Sequence, residues 1–266
     1  MKIIKNQLSE IPPFKSKIDN LDDLPYIPQK PLNNMCKSFL LYVIGSPGSG
    51  KTSCIMSLLT SHPTKKQPNK PKYMYKLFDN IHLISASLQT LPKSFTKLLP
   101  DEKKHNKYSD DLLIDIIDTL QQGENENNLL VMDDCIKDLN RSKILSKVCL
   151  NRRHICQDEE QEGNAGLAIM IISQKFTLLN LEYRNACSHF IIFKISNFTE
   201  LKRIREEIAY DLTDEEFNQL TKLAWKEKYS FLFIDLNKEK NNKYFIRFDA
   251  VKFDDDEIDG IEYESE

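Results

Sequence analysis

The residues best suited to chemistry in this chain form one string, Gly45-Ser46-Pro47-Gly48-Ser49-Gly50-Lys51-Thr52-Ser53. Gly-x-x-x-x-Gly-Lys-Thr is the spelling of a phosphate-binding P-loop, and each residue type in it has a reason. Gly45, Gly48 and Gly50 can take backbone angles closed to other residues, so successive N–H groups can turn inward toward phosphate oxygens. The Lys51 ammonium is a point charge for the β- and γ-phosphates, and the Thr52 hydroxyl is placed to ligate Mg²⁺. Three of the 7 glycines in the whole chain fall in this string, so it is no by-product of a glycine-rich composition.

A second set of polar residues closes apolar runs further on. Leu129 to Met132 is a short continuous apolar run, as expected of a strand buried on both faces, and it ends in Asp133 and Asp134. Downstream of a P-loop, a carboxylate at such a strand tip holds Mg²⁺ and a second can polarise the attacking water. Another buried run, GLAIMIIS, predicts a strand over 167–173 with Gln174 at its end. A polar amide at the carboxyl end of a parallel strand faces the crevice where ligands bind. Arg152, Arg153 and His154 precede this run, and Arg184 and Asn185 follow it.

The elements that must position these residues are legible as alternating patterns. Phe39 to Ile44 is an apolar strand entering the P-loop, and Ser53 to Thr60 reads as a helix whose N-terminal dipole end meets the same phosphate. The stretch 61–76 carries three prolines and five lysines and predicts a basic loop. A strand is expected over 77–85, and 86–108 is polar and irregular. Ser109 predicts an N-cap, with Leu112, Leu113, Ile116, Ile117 and Leu120 at helical spacing behind it. Helices are also expected over 138–150, over 199–210, and from the capping box Thr213/Glu216 past Trp225. Strands are expected at 189–195, 231–236 and 243–248, the last two as a closing hairpin. The expected fold class is therefore α/β, a mostly parallel central sheet flanked by helices with a C-terminal β-hairpin.

Composition sets the outer bounds. At 266 residues the chain can bury a substantial core as one domain. The expected division is a proline-rich N-terminal arm at 1–37, a P-loop ATPase domain at 38–248 and an acidic tail at 249–266 expected to be disordered. The net charge of −3 conceals an asymmetry. Of 37 bases and 40 acids the tail holds one and nine, leaving 36 and 31 elsewhere, a body charge of +5 that is compatible with a polyanionic partner. No stretch approaches the ~20 apolar residues of a membrane span, and MKIIKNQLSE is too short and polar for a secretion signal. The six cysteines show no C-x-x-C pair, so they are expected to be reduced and packed, with Cys149, His154 and Cys156 a poor start for a zinc site.

Taken together, GSPGSGKT at 45–52, LLVMDD at 129–134, RRH at 152–154, IMIISQ at 169–174, RNACSHFIIFK at 184–194 and the FLFIDL strand resemble the genome-packaging ATPases of large double-stranded DNA viruses. These form the poxvirus-like branch of the FtsK/HerA superfamily of P-loop NTPases, with members in virophages, and the resemblance spans roughly residues 38–248. It implies a RecA/FtsK-like ATPase that drives double-stranded DNA into capsids. The protein would act as a homo-oligomeric, hexamer-like ring beside capsid or portal-vertex proteins, in the host cytoplasm at the virus factory or in the virion. It also implies roles: Gly45 to Ser53 would cradle ATP, Thr52 and Asp133 would hold Mg²⁺, Asp134 would be the general base, and Gln174 would position the water. Arg153 would be an arginine finger reaching across a subunit interface, with Arg184 the second candidate. Much of the superfamily has glutamate where Asp134 stands, and the 157–166 insertion directly follows the Arg-His pair. The competing expectations are a P-loop nucleotide kinase and an ATP-gated assembly protein with little hydrolysis.

Overall fold

Apolar runs with residues pointing alternately to two sides become the strands of one sheet. The structure, a computed structural model, describes residues 2–4, 31, 32, 35, 38–123, 127–155 and 166–253. Most of the proline-rich arm, Cys156, most of the 157–166 insertion and the tail from 254 lie outside the described residues. The strands are Lys2–Ile4 (β1), Leu40–Ile44 (β2), Asn80–Ser85 (β3), Lys104–His105 (β4), Asn127–Asp133 (β5), Gly166–Ser173 (β6), His189–Phe193 (β7), Phe231–Asp235 (β8), Tyr244–Ile246 (β9) and Asp249–Lys252 (β10). Their order across the sheet is β1-β10-β9-β8-β7-β2-β6-β5-β3-β4. From β7 to β4 every neighbour is parallel; from β7 to β1 every neighbour is antiparallel.

The helices are Lys51–Thr60 (α1), Lys93–Thr96 (α2), Asp110–Gln121 (α3), Ile136–Leu139 (α4), Lys143–Asn151 (α5), Leu181–Ala186 (α6), Phe198–Ile208 (α7), Asp214–Ala224 (α8) and Lys240–Lys243 (α9). They cover both faces of the sheet, which is why the central strands are apolar throughout rather than alternating with polar residues. Along β2, Leu40, Tyr42 and Ile44 join a core with α3, α5, α6, α7 and α8. Leu41 and Val43 join the opposite core with α1, Tyr73, Met74 and Phe95. The P-loop helix thus packs on one face and most other helices on the other.

Several expectations need correcting. The helix expected over 138–150 is two helices, because Ser142 breaks it and its hydroxyl accepts the Leu145 N–H as a new N-cap. The helix from Thr213 keeps its capping box but stops at Ala224, where the Trp225 indole N–H turns to the Ile192 carbonyl at 3.0 Å. The irregular stretch 86–108 contains α2 and the edge strand β4, too short to show a period. The connection over 175–187 contains α6. The tail begins later than expected, because Val251 and Phe253 are buried and β10 pairs with both β9 and β1.

Candidate functional site

Four neighbouring strands, in the order β7-β2-β6-β5, end side by side at their carboxyl ends, and each delivers part of the site. Strand β2 runs into the P-loop, where Gly48 and Gly50 have φ of +74° and +99°. These left-handed values cost a Cβ-bearing residue energy that glycine does not incur. Gly45 is required for another reason: a Cβ there would stand 2.6 Å from Phe193 Cβ. Ser46, Pro47 and Gly48 are exposed at the tip, and the Ser49 N–H closes the turn onto the Ser46 carbonyl at 3.2 Å. Ser53 lies exposed on the first turn of α1.

Lys51 folds back over the loop, its Nζ donating to the carbonyls of Gly45 (2.7 Å) and Ser46 (3.0 Å). Burial lowers its pKa from the ordinary lysine value, opposed by the nearby charges of Asp133 and Asp134. The Thr52 hydroxyl donates to Asp133 Oδ2 at 3.2 Å. Burial raises the Asp133 carboxyl above its usual range; the Thr52 hydrogen bond lowers it, the Asp134 charge raises it further and Lys51 pulls it down. A buried carboxylate beside a threonine hydroxyl makes a pair of hard oxygen donors suited to Mg²⁺, which keeps several waters and needs only one or two protein carboxylates.

Asp134 is adjacent in sequence yet faces elsewhere. Its φ of +58° ends β5 in a left-handed turn that Asp tolerates better than most residues. Asp133 therefore stays buried while Asp134 is exposed. Gln174, at the end of the adjoining β6, brings its Nε2 to 3.5 Å from Asp134 Oδ1. The turn carrying Gln174 is pinned from below, where Tyr42 Oη donates to the Lys175 carbonyl at 2.8 Å and Ser173 Oγ to the same oxygen at 3.0 Å. Lys51, Thr52, Asp133, Asp134 and Gln174 thus converge on one crevice.

The two arginines do not join them. Arg152 is buried at the opposite end of the sheet, its Nε donating to the Ser38 carbonyl at 2.7 Å and its Nη1 to the Cys149 carbonyl at 2.6 Å. Arg153, beside it, is exposed. The length of β2 separates Ser38 from Gly45, so Arg153 lies roughly 20 Å from the P-loop of its own chain. Arg184 is committed within the subunit: Nε and Nη2 each reach Glu207 at 2.8 Å, and Nη1 donates to the Leu179 carbonyl. Its guanidinium also lies 4.8 Å from the Phe176 ring centroid. With its fork already filled, Arg184 clamps α6 to α7 within the subunit.

No protein-family model matches this chain, and no curated protein matches it in sequence. Solved structures do match its fold. One is B204, the DNA-packaging ATPase from Sulfolobus turreted icosahedral virus, with a TM-score of 0.53 and 15% identity over 82% of this chain and 100% of B204. Another is the genome-packaging NTPase B204 of Sulfolobus turreted icosahedral virus 2 in complex with ATPγS, with a TM-score of 0.52 and 14% identity over the same shares. The same NTPase with AMPPCP matches at a TM-score of 0.53 and 14% identity. The fold is that of viral genome-packaging NTPases. The match spans the full length of each of these B204 chains.

The sequence motifs assigned no role to the residues flanking the P-loop on the β7 side. Phe193, Trp225 and Tyr229 line a cleft with Gly48 and Ser49. Nothing in their spacing marks them, because only the antiparallel return of β8 beside β7 brings the 226–230 loop next to Gly50.

Proposed function

We propose that this chain is an ATP-hydrolysing motor that translocates double-stranded viral DNA into capsids, working as a ring of identical subunits. The observation that carries the reading is the convergence of Lys51, Thr52, Asp133, Asp134 and Gln174 at four adjacent strand ends, on a fold shared with viral packaging NTPases. In this reading the P-loop amides from Gly45 to Ser53 and the Lys51 ammonium hold the triphosphate. Thr52 and Asp133 would hold Mg²⁺, which would supply neutralisation of phosphate charge. Asp134 accepts a proton from the attacking water, and the Gln174 amide, within reach of the same carboxylate, orients that water. Arg153 belongs to the neighbour's site. Its exposure and its distance from its own P-loop support a role in which it stabilises charge developing at the next subunit, which makes hydrolysis depend on assembly. Capsid or portal-vertex proteins are the expected partners, at the virus factory or in the virion.

Phosphate release with and without duplex DNA, run beside a native-mass measurement, tests this reading. Hydrolysis is expected to rise with duplex DNA, to require an assembled form, and to be abolished by Lys51→Ala. Monomeric, DNA-independent turnover would remove the motor reading, and phosphoryl transfer to a nucleoside acceptor would replace it with a kinase.

A further inference from the structure

One cavity of the molecule borders the P-loop and is lined by none of Lys51, Thr52, Asp133, Asp134 and Gln174. It measures about 380 Å³ and is walled by Gly48 and Ser49 on one side and Phe193, Trp225 and Tyr229 on the other. That volume lies within the range that encloses small ligands. Its aromatic wall is held firmly. Phe193 is packed to 1% exposure, and the Trp225 indole N–H is fixed on the Ile192 carbonyl at 3.0 Å.

Tyr229 is the informative residue. Its φ is +63°, a left-handed conformation that a bulky side chain keeps only where its surroundings hold it there, and such residues gather at functional sites. The residue is nevertheless 55% exposed, so packing into the core does not explain the conformation. Its Cδ1 would stand 3.3 Å from a Cβ placed on Gly50, so the ring lies against the phosphate loop itself. Lys228 Nζ is 4.8 Å from the ring centroid, and Ser49 Oγ is buried without a partner among the described residues.

We propose that this cleft is the nucleobase subsite, in which the base of a bound nucleoside triphosphate stacks on the exposed ring of Tyr229. The inference rests on the P-loop holding the phosphates and adds where the other end of the ligand lies. A ligand anchored at Lys51 and leaving the loop past Gly48 and Ser49 enters this cleft directly. Stacking uses the π-face that every base has, rather than the hydrogen-bonding edge that distinguishes them. The subsite therefore accepts adenine and guanine with little preference.

The test is fluorescence binding of mant-ATP and mant-GTP to the full chain, with inorganic tripolyphosphate as competitor. Tyr229→Asn keeps a residue that tolerates the left-handed backbone and removes the ring. It is expected to weaken both mant nucleotides roughly ten-fold while leaving tripolyphosphate competition unchanged; Tyr229→Phe should bind as the parent does. The proposal is overturned if Tyr229→Asn leaves mant-ATP binding unaltered, or if it weakens tripolyphosphate equally, since the ring would then only prop Gly50. A preference for one base above about a hundred-fold would also overturn it, because stacking cannot supply that discrimination. Failure of the P-loop reading looks different: mant-ATP and tripolyphosphate would bind Lys51→Ala as tightly as the parent, whatever residue 229 is.

Discussion

Asp133 and Asp134 are neighbours in the chain and opposites in environment. The left-handed turn at Asp134 sends one carboxylate under the Thr52 hydroxyl and the other outward to within 3.5 Å of the Gln174 amide. The two positions should therefore fail differently when each charge is removed by an isosteric change. Asp134→Asn removes the proposed proton acceptor and should lower kcat by about 10²–10⁴-fold with nucleotide binding retained. Asp133→Asn removes the carboxylate proposed to hold Mg²⁺ and should weaken Mg²⁺-dependent nucleotide binding itself. Steady-state hydrolysis measured beside mant-ATP affinity separates the two, and equal loss of affinity in both variants would show the roles to be wrongly divided.

At the scale of elements, two packed polar groups control how firmly the sheet is clasped. Arg184 joins α6 to α7 through Glu207, with side-chain exposures of 10% and 16%. Arg184→Met should leave the Glu207 carboxylate without its partner and cost about 2–4 kcal/mol of stability, read as a lowered urea midpoint. The folded fraction should keep its hydrolysis rate; a protein of normal stability and lost turnover would restore Arg184 as a catalytic candidate. Next to the edge strand β4, His82 of β3 is held neutral. Burial first, then the charges of Lys103 and His105, lower its pKa to about 4, against a weak opposing pull from Glu102. Burial lowers His189 in the same direction, against the pull of Asp235. Between the unfolded value near 6.5 and the folded value, the unfolded chain binds a proton that the folded one refuses. Stability is therefore complete above about pH 6.5 and falls as the pH drops toward 4. The share of His82 alone at pH 5 is about 1–2 kcal/mol, so His82→Phe should flatten the fall of the urea midpoint between pH 7 and pH 5.

The whole molecule places Arg153 at one end of the sheet and the P-loop at the other. A single chain cannot bring the two together, whereas a ring of copies in head-to-tail contact can. Arg153→Ala and Lys51→Ala should each be nearly inactive alone. Mixed in equal amounts, they leave about a quarter of interfaces with an intact P-loop on one side and an intact arginine on the other, so partial hydrolysis should return. A mixture as inactive as its parents, with assembly confirmed by native mass, would remove the shared site.

The balance between what could be read and what had to be seen follows the range of the interactions. The amino-acid sequence by itself determined the P-loop, the strand-final Asp133, Asp134 and Gln174, the α/β alternation and the Thr213 capping box. Each is a short-range signal, written within a few residues by backbone propensity, burial period or fixed covalent spacing. Only the tertiary structure decided that β7, β2, β6 and β5 are neighbours, because β2 meets β6 and β7 across more than a hundred residues of chain. It also decided that Glu207 consumes the fork of Arg184, that Arg152 is buried while Arg153 is free to point outward, and that Tyr229 lies against Gly50. These outcomes depend on side chains meeting across the fold, and no local pattern encodes such meetings: the same arginine beside the same strand serves as a clamp or as a finger according to which carboxylate the packing brings within 3 Å.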